Sequence, residues 1–330
     1  MVYEYCDEIK NSGINRNAFP ASCTSFMEMG MHIAVNTTRE VNKILEAAGS
    51  IEFDKVNKNL LTEATAKEIK DLVIKKITGA LKKAWEGIKA IWEKIQKAIN
   101  TKLNEFKDKV GNKFKDLDLS KYKTVLNKTF GETGGKESMT LIDINKIIDL
   151  KIAIDKAKDQ VMREIKESKK DPDKFNNGFA EILDNIASMS VDKVSANVVN
   201  GIGDAKKIIE DKLNAKPQEV TANFVINNKD NIYKFISIHG IGNVRKSYSS
   251  AKKSVDGTMR AIKDLDKTEE STFRDNSKML LNCELAYQNL LLAIAEVEKK
   301  TLWQAIIIAG KCVVACKLGK EDSAQKKAAK

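Results

Sequence analysis

An all-α fold with a long amphipathic rod is predicted by three observations. Only three prolines, Pro20, Pro172 and Pro217, interrupt 330 residues; proline removes a backbone donor and clashes with the preceding helical turn, so long helices keep it rare. The composition leans on lysine, glutamate, alanine, isoleucine and leucine, the ordinary helix formers. Apolar residues recur every three or four positions over long stretches, which places them on one helix face.

The first 60 residues read as an N-terminal arm with short helices, punctuated by asparagine, serine and glycine. Thr37-Thr38-Arg39-Glu40 has the form of a capping box, in which the hydroxyl and the glutamate satisfy the first free amides of a helix. A helix is expected from there to about Ala48, stopped by Gly49.

Residues 61–130 carry the clearest pattern. Thr65-Ala66-Lys67-Glu68 offers a second capping box, and Leu81, Trp85, Ile88, Trp92, Ile95, Ile99 and Phe106 follow at close to heptad spacing. These seven residues are the expected assembly seam. A helix of ~50 residues would be a rod on the order of 75 Å long, with Gly79, Gly87 and Gly111 as weak points. Between Lys67 and Lys128 stand 17 lysines and 8 acids, a surplus of 9 cations in a chain of net charge +11.

Gly131-Glu132-Thr133-Gly134-Gly135 is a turn cluster and the best hinge. A helical bundle is expected over 140–318. Its helices run from Thr140 to Ile165, around Phe179–Ile186, around Ile208–Leu213, over Val244–Asp266 and over Asn276–Lys300, with a last one capped by Thr301. Residues 222–238 are ambiguous: two apolar runs flank Asn227–Asn231, so a small β-hairpin competes with helix or loop. Residues 319–330 form a charged C-terminal tail.

Catalytic chemistry finds no foothold. The two histidines, His32 and His239, have no triad or zinc-protease spacing around them. Five cysteines at no framework spacing suit free thiols in a reducing compartment, and Cys312 and Cys316 lack the second ligand pair of a zinc site. No cofactor and no metal site is expected. His239-Gly240-Ile241-Gly242-Asn243-Val244 looks like a helix-hairpin-helix turn that presents amides to phosphate, but an ordinary helix–helix turn is the expectation. Leu302–Cys316 is apolar yet holds Gln304 and Lys311 and falls short of the ~20 residues of a span; a buried helix is the expectation, with no membrane span.

The last third carries a resemblance. A lysine/aspartate helix from Ser254 to Lys267 runs into Asp275-Asn276-Ser277, then Leu280-Leu281-Asn282-Cys283, Tyr287-Gln288-Asn289-Leu290-Leu291-Leu292, Ala305-Ile306-Ile307, Lys311-Cys312-Val313-Val314 and a lysine tail. Together with the lysine-rich Trp85/Trp92 helix, this order resembles helical virion structural proteins of tailed bacteriophages infecting low-GC Gram-positive bacteria, usually encoded among head genes. The resemblance implies a capsid-associated structural component of the particle without enzymatic activity, made in the host cytoplasm and found in the virion. Its partners would be itself and other phage virion proteins. Two other readings stay open: a membrane-active helical protein of pore-forming-toxin type, and a basic DNA-binding or DNA-condensing protein. Contact with nucleic acid through the basic segment is otherwise expected to be weak and non-specific.

Overall fold

The computed structural model describes residues 26–57, 63–131, 140–141, 152, 159, 218–265 and 270–328. These residues are almost wholly helical, and the fold is all-α. The main helices are α1 (Phe26–Asn57), α2 (Glu63–Phe106), α3 (Asn112–Asp116), α4 (Lys123–Phe130), α5 (Ala222–Lys234), α6 (Gly240–Asp264) and α7 (Glu270–Ala328). A π-turn, Lys107–Gly111, joins α2 to α3, and another, Phe235–His239, joins α5 to α6. The only strand pairing among the described residues is a two-residue antiparallel ladder, Thr140–Leu141 (β1) against Gln218–Glu219 (β2).

The chain divides into two compact units. The first holds α1, α2 as far as Glu93, α6 from Ser247 and α7 as far as Ile294. Its helices form because each carries an apolar row at helical spacing: Met29, Ile33, Val41 and Leu45 on α1; Ile77, Leu81, Ile88 and Trp92 on α2; Ala251, Val255 and Ile262 on α6. Tyr248 stacks on Trp85 with ring centroids 5.9 Å apart and meets Trp92 edge-on at 6.4 Å, which ties α6 to α2. Close approach ties α1 to its neighbours. A Cβ at Gly30 would fall 2.6 Å from Leu292 Cδ1, and one at Gly87 would fall 2.9 Å from Ile33 Cδ1.

The second unit holds α2 from Lys94, α3, α4, α5, the start of α6 and α7 from Ala295, with the ladder. Thr221 caps α5, its hydroxyl accepting from Phe224 N at 3.1 Å. Lys229 on α5 donates to the carbonyls of Lys115 and Leu117, both at 2.7 Å, and so satisfies the open C-terminal end of α3. Gly240 lies against Leu302, and Gly319 against Tyr122 and Val125. Gly131 ends α4 at φ 80°, a conformation that glycine alone adopts without strain.

Several expected boundaries move. The hairpin at 222–238 is absent: α5 and the π-turn run through it. Val225, Ile232 and Ile236 fall on one buried helix face, while the polar run between them lies largely towards solvent, with Asn228 Nδ2 donating to Phe224 O. The same continuity removes the helix-hairpin-helix turn, since Gly240-Ile241-Gly242 opens α6. Thr37 and Thr301 do not cap helices. Each lies inside one and donates its hydroxyl to the carbonyl four residues back, Ile33 O at 2.8 Å and Val297 O at 2.9 Å. Gly49 does not stop α1, because a lone interior glycine costs only about 1 kcal/mol, too little to end a helix that packing holds.

The expected segments are also redistributed. The 1–60 arm contributes a 32-residue helix to the first unit, and the 61–130 rod is a 44-residue α2 followed by two short helices. Thr140 opens a strand, not a helix. The charged tail from Gly319 continues α7 as far as Ala328. The expected helices around 179–186 and 208–213, with Cys6 and Cys23, lie outside the described residues.

Candidate interaction face

The seven expected seam residues are all buried within the chain's own fold. Trp92, Ile95 and Ile99 are 0 % exposed, and Leu81, Trp85, Ile88 and Phe106 are nearly so. Leu81, Trp85, Ile88 and Trp92 serve the core of the first unit; Ile95, Ile99 and Phe106 serve that of the second. As a surface for other chains the seam is therefore closed, because α2 uses its apolar row to build the protein itself.

An open apolar row lies elsewhere, on the part of α7 in the second unit. Leu302, Ala305, Ile308, Ala309, Cys312 and Cys316 turn inward. On the opposite side Ile307 is 48 % exposed, Val314 59 % and Leu318 54 %, with Trp303 half-buried beside them. Trp303, Ile307, Gly310, Val314 and Leu318 stand at i, i+4, i+7, i+11 and i+15, so they share an arc of roughly 80° on the helix. Sequence reasoning missed this row, because a run that is apolar on every side reads as a fully buried helix. Its signal was the regular spacing of Trp303, Ile307, Val314 and Leu318 inside the run.

The row has basic borders. Lys299 and Lys317 flank one edge and Lys300 and Lys311 the other, and no acid stands between Glu298 and Glu321. Lys299 Nζ sits over the Trp303 ring, 5.9 Å from its centroid. Burial draws the Lys299 ammonium below its ordinary pKa, with Glu296 opposing and Lys300 adding to the shift. Gly310 leaves a notch between Ile307 and Val314, since a Cβ there would meet nothing within 4 Å.

A buried polar cluster sits in the first unit, on the earlier part of α7. The Glu284 carboxylate accepts from Ser254 Oγ at 2.7 and 2.9 Å, from Thr258 Oγ1 at 2.6 Å and from Gln288 Nε2 at 2.6 Å. Gln288 Nε2 also donates to Ala251 O at 2.9 Å. Glu284 and Gln288 are both fully buried, so this cluster fixes the register of α6 against α7. Its hint in the sequence was Glu284 and Gln288, four apart within an apolar run.

The thiols follow their setting. Cys283, Cys312 and Cys316 are buried. Burial pushes the Cys312 thiol up to about 12, with Cys316 adding to the effect, and raises Cys316 as well. Such thiols stay protonated and pack as small apolar groups. His32 shares a 3.0 Å hydrogen bond with Asn36 on the surface of α1, and His239 closes the second π-turn.

No family model, curated protein or solved structure matches the chain.

Proposed function

We propose that this chain is a non-enzymatic structural component of a tailed bacteriophage particle, head-associated and acting through helix–helix assembly. The observation that carries the reading is the open apolar row on α7. A folded protein that covers the apolar face of a 44-residue helix yet leaves Ile307, Val314 and Leu318 outside has a surface shaped for another helix. The sequence resemblance supplies the setting, with the virion as location and other particle proteins as partners. The test is an inventory of purified particles from the phage that encodes the chain. The chain is expected at stoichiometric copy number, its gene beside capsid and portal genes. Absence from particles that carry their full head and tail complement would overturn the reading.

A second reading has one observation in its favour. Asn276–Lys320 is, by length and composition alone, long and apolar enough to cross a membrane. On that reading the protein is membrane-active, and α7 releases its packing to insert. Leakage of anionic vesicles at micromolar protein would support it, and intact vesicles would remove it.

A further inference from the structure

We infer that the α7 row takes an acidic amphipathic helix from a different protein, seated with its apolar stripe on Ile307, Val314 and Leu318 and its carboxylates on the bordering lysines. This deepens the assembly reading and rests on it. Two observations select the occupant.

The first is shape. Positions i, i+3, i+4 and i+7 around Ile307, Gly310, Lys311 and Val314 outline the four-cornered hole into which a facing helix inserts one side chain. Gly310 deepens that hole, as no neighbouring atom fills the space its missing Cβ leaves. A lipid surface gains nothing from such a notch, whereas a leucine or isoleucine knob fills it.

The second is charge. Both edges of the row are lysine and neither holds an acid from Lys299 to Lys320. Two copies meeting through this face would set lysine against lysine, the arrangement that coiled coils use to exclude a pairing. A helix with glutamate or aspartate at its own edges meets complementary charge on both sides.

The test uses the full chain and two labelled four-heptad helical peptides, identical in their leucine/isoleucine seam, with glutamate edges in one and lysine edges in the other. Fluorescence anisotropy at low salt is expected to give the glutamate peptide at least about tenfold higher affinity, an advantage that shrinks as salt screens the charges. Val314→Asp and Gly310→Leu should each weaken that binding about tenfold, one by placing a carboxylate in the seam and the other by filling the hole. Both positions face away from the core, so a melting temperature no lower than that of the unaltered chain certifies the fold; Val314→Ala serves if either variant melts early. Equal affinity for the two peptides, or glutamate-peptide binding untouched by Val314→Asp, overturns the inference. Flotation with phosphatidylglycerol vesicles that Val314→Asp abolishes would assign the face to lipid instead. Dimerisation in sedimentation that the same change abolishes would assign it to a second copy. The particle inventory is independent of these arms: a chain found in particles but indifferent to the acidic peptide keeps its assembly role and loses this partner.

Discussion

Among the described residues, the apolar row on α2 and the one on α7 differ in that the first is covered and the second is not. The row on α2, from Ile69 to Phe106, is buried along its length by the chain's own helices. The row on α7, from Trp303 to Leu318, lies on a helix whose other side is equally apolar, so one side builds the core and the other faces solvent. Periodicity locates such rows without saying what covers them. What separates the two cases is the opposite face of the helix. α2 sets lysines and glutamates opposite its row, as a helix with one packed side does, while α7 between Leu302 and Cys316 has only Gln304 and Lys311 to give to water.

The largest expected effect tests the covered row. Trp92 is fully buried and meets Tyr248, so Trp92→Ala should cost about 3 to 5 kcal/mol, from lost burial plus the cavity. Val314→Ala, on the open row, should change stability by less than about 0.5 kcal/mol. Urea unfolding of the two variants measures both. Comparable losses would show that the two rows do not differ as their burial implies.

Next comes the polar cluster that the covered part of α7 carries. Glu284→Ala leaves the hydroxyls of Ser254 and Thr258 and the Gln288 amide without their buried acceptor, at a cost of about 2 to 4 kcal/mol. Glu284→Gln keeps acceptor capacity and should lose less. Equal melting temperatures for the two variants would mean that the cluster contributes through packing alone.

A third test probes the covered side of α7. Cys312 faces inward, and its thiol holds its proton to about pH 12 against an ordinary value of 9.0. A thiol raised in the folded state stabilises fully below the unfolded value, and that contribution is lost as pH rises through the window from about 9 to about 12. Between pH 8 and pH 11 the protein should therefore lose on the order of 2 kcal/mol more than its Cys312→Ala variant. Parallel pH profiles would place Cys312 in contact with water.

Much of the fold was legible because helical spacing and the scarcity of proline survive any tertiary arrangement. The seven α2 residues that the spacing named are all buried, and Ile74 and Ile91, which it did not name, are buried with them. The end points were not legible, since Gly49, Thr37 and Thr301 carry stop and start chemistry that packing overrides in long helices. The hairpin expected at 222–238 came from reading Asn227–Asn231 as a turn, although on a helix those residues fall largely on the solvent side. The candidate face was the least legible part. Leu302–Cys316 shows its apolar character plainly, but its division into covered and open sides depends on neighbours remote in sequence, such as Gly240 against Leu302.

The smallest expected effect separates the covered and open regions by sign, using one substitution at two glycines. Gly30 on α1 lies where a Cβ would press on the Asn289 side chain and Leu292. These neighbours are themselves buried in the core, so Gly30→Ala should destabilise by about 1 to 3 kcal/mol through overpacking. Gly310 lies inside α7 with nothing near its missing Cβ. Alanine there removes backbone freedom from the unfolded chain and strains nothing, so Gly310→Ala should stabilise by about 0.5 to 1 kcal/mol. The pair is informative because helix propensity favours alanine at both sites, so a difference in sign comes from the neighbours alone. Thermal melts at matched concentration read it directly. If Gly310→Ala also destabilised, something would already occupy the notch in solution, and the open row would be covered after all.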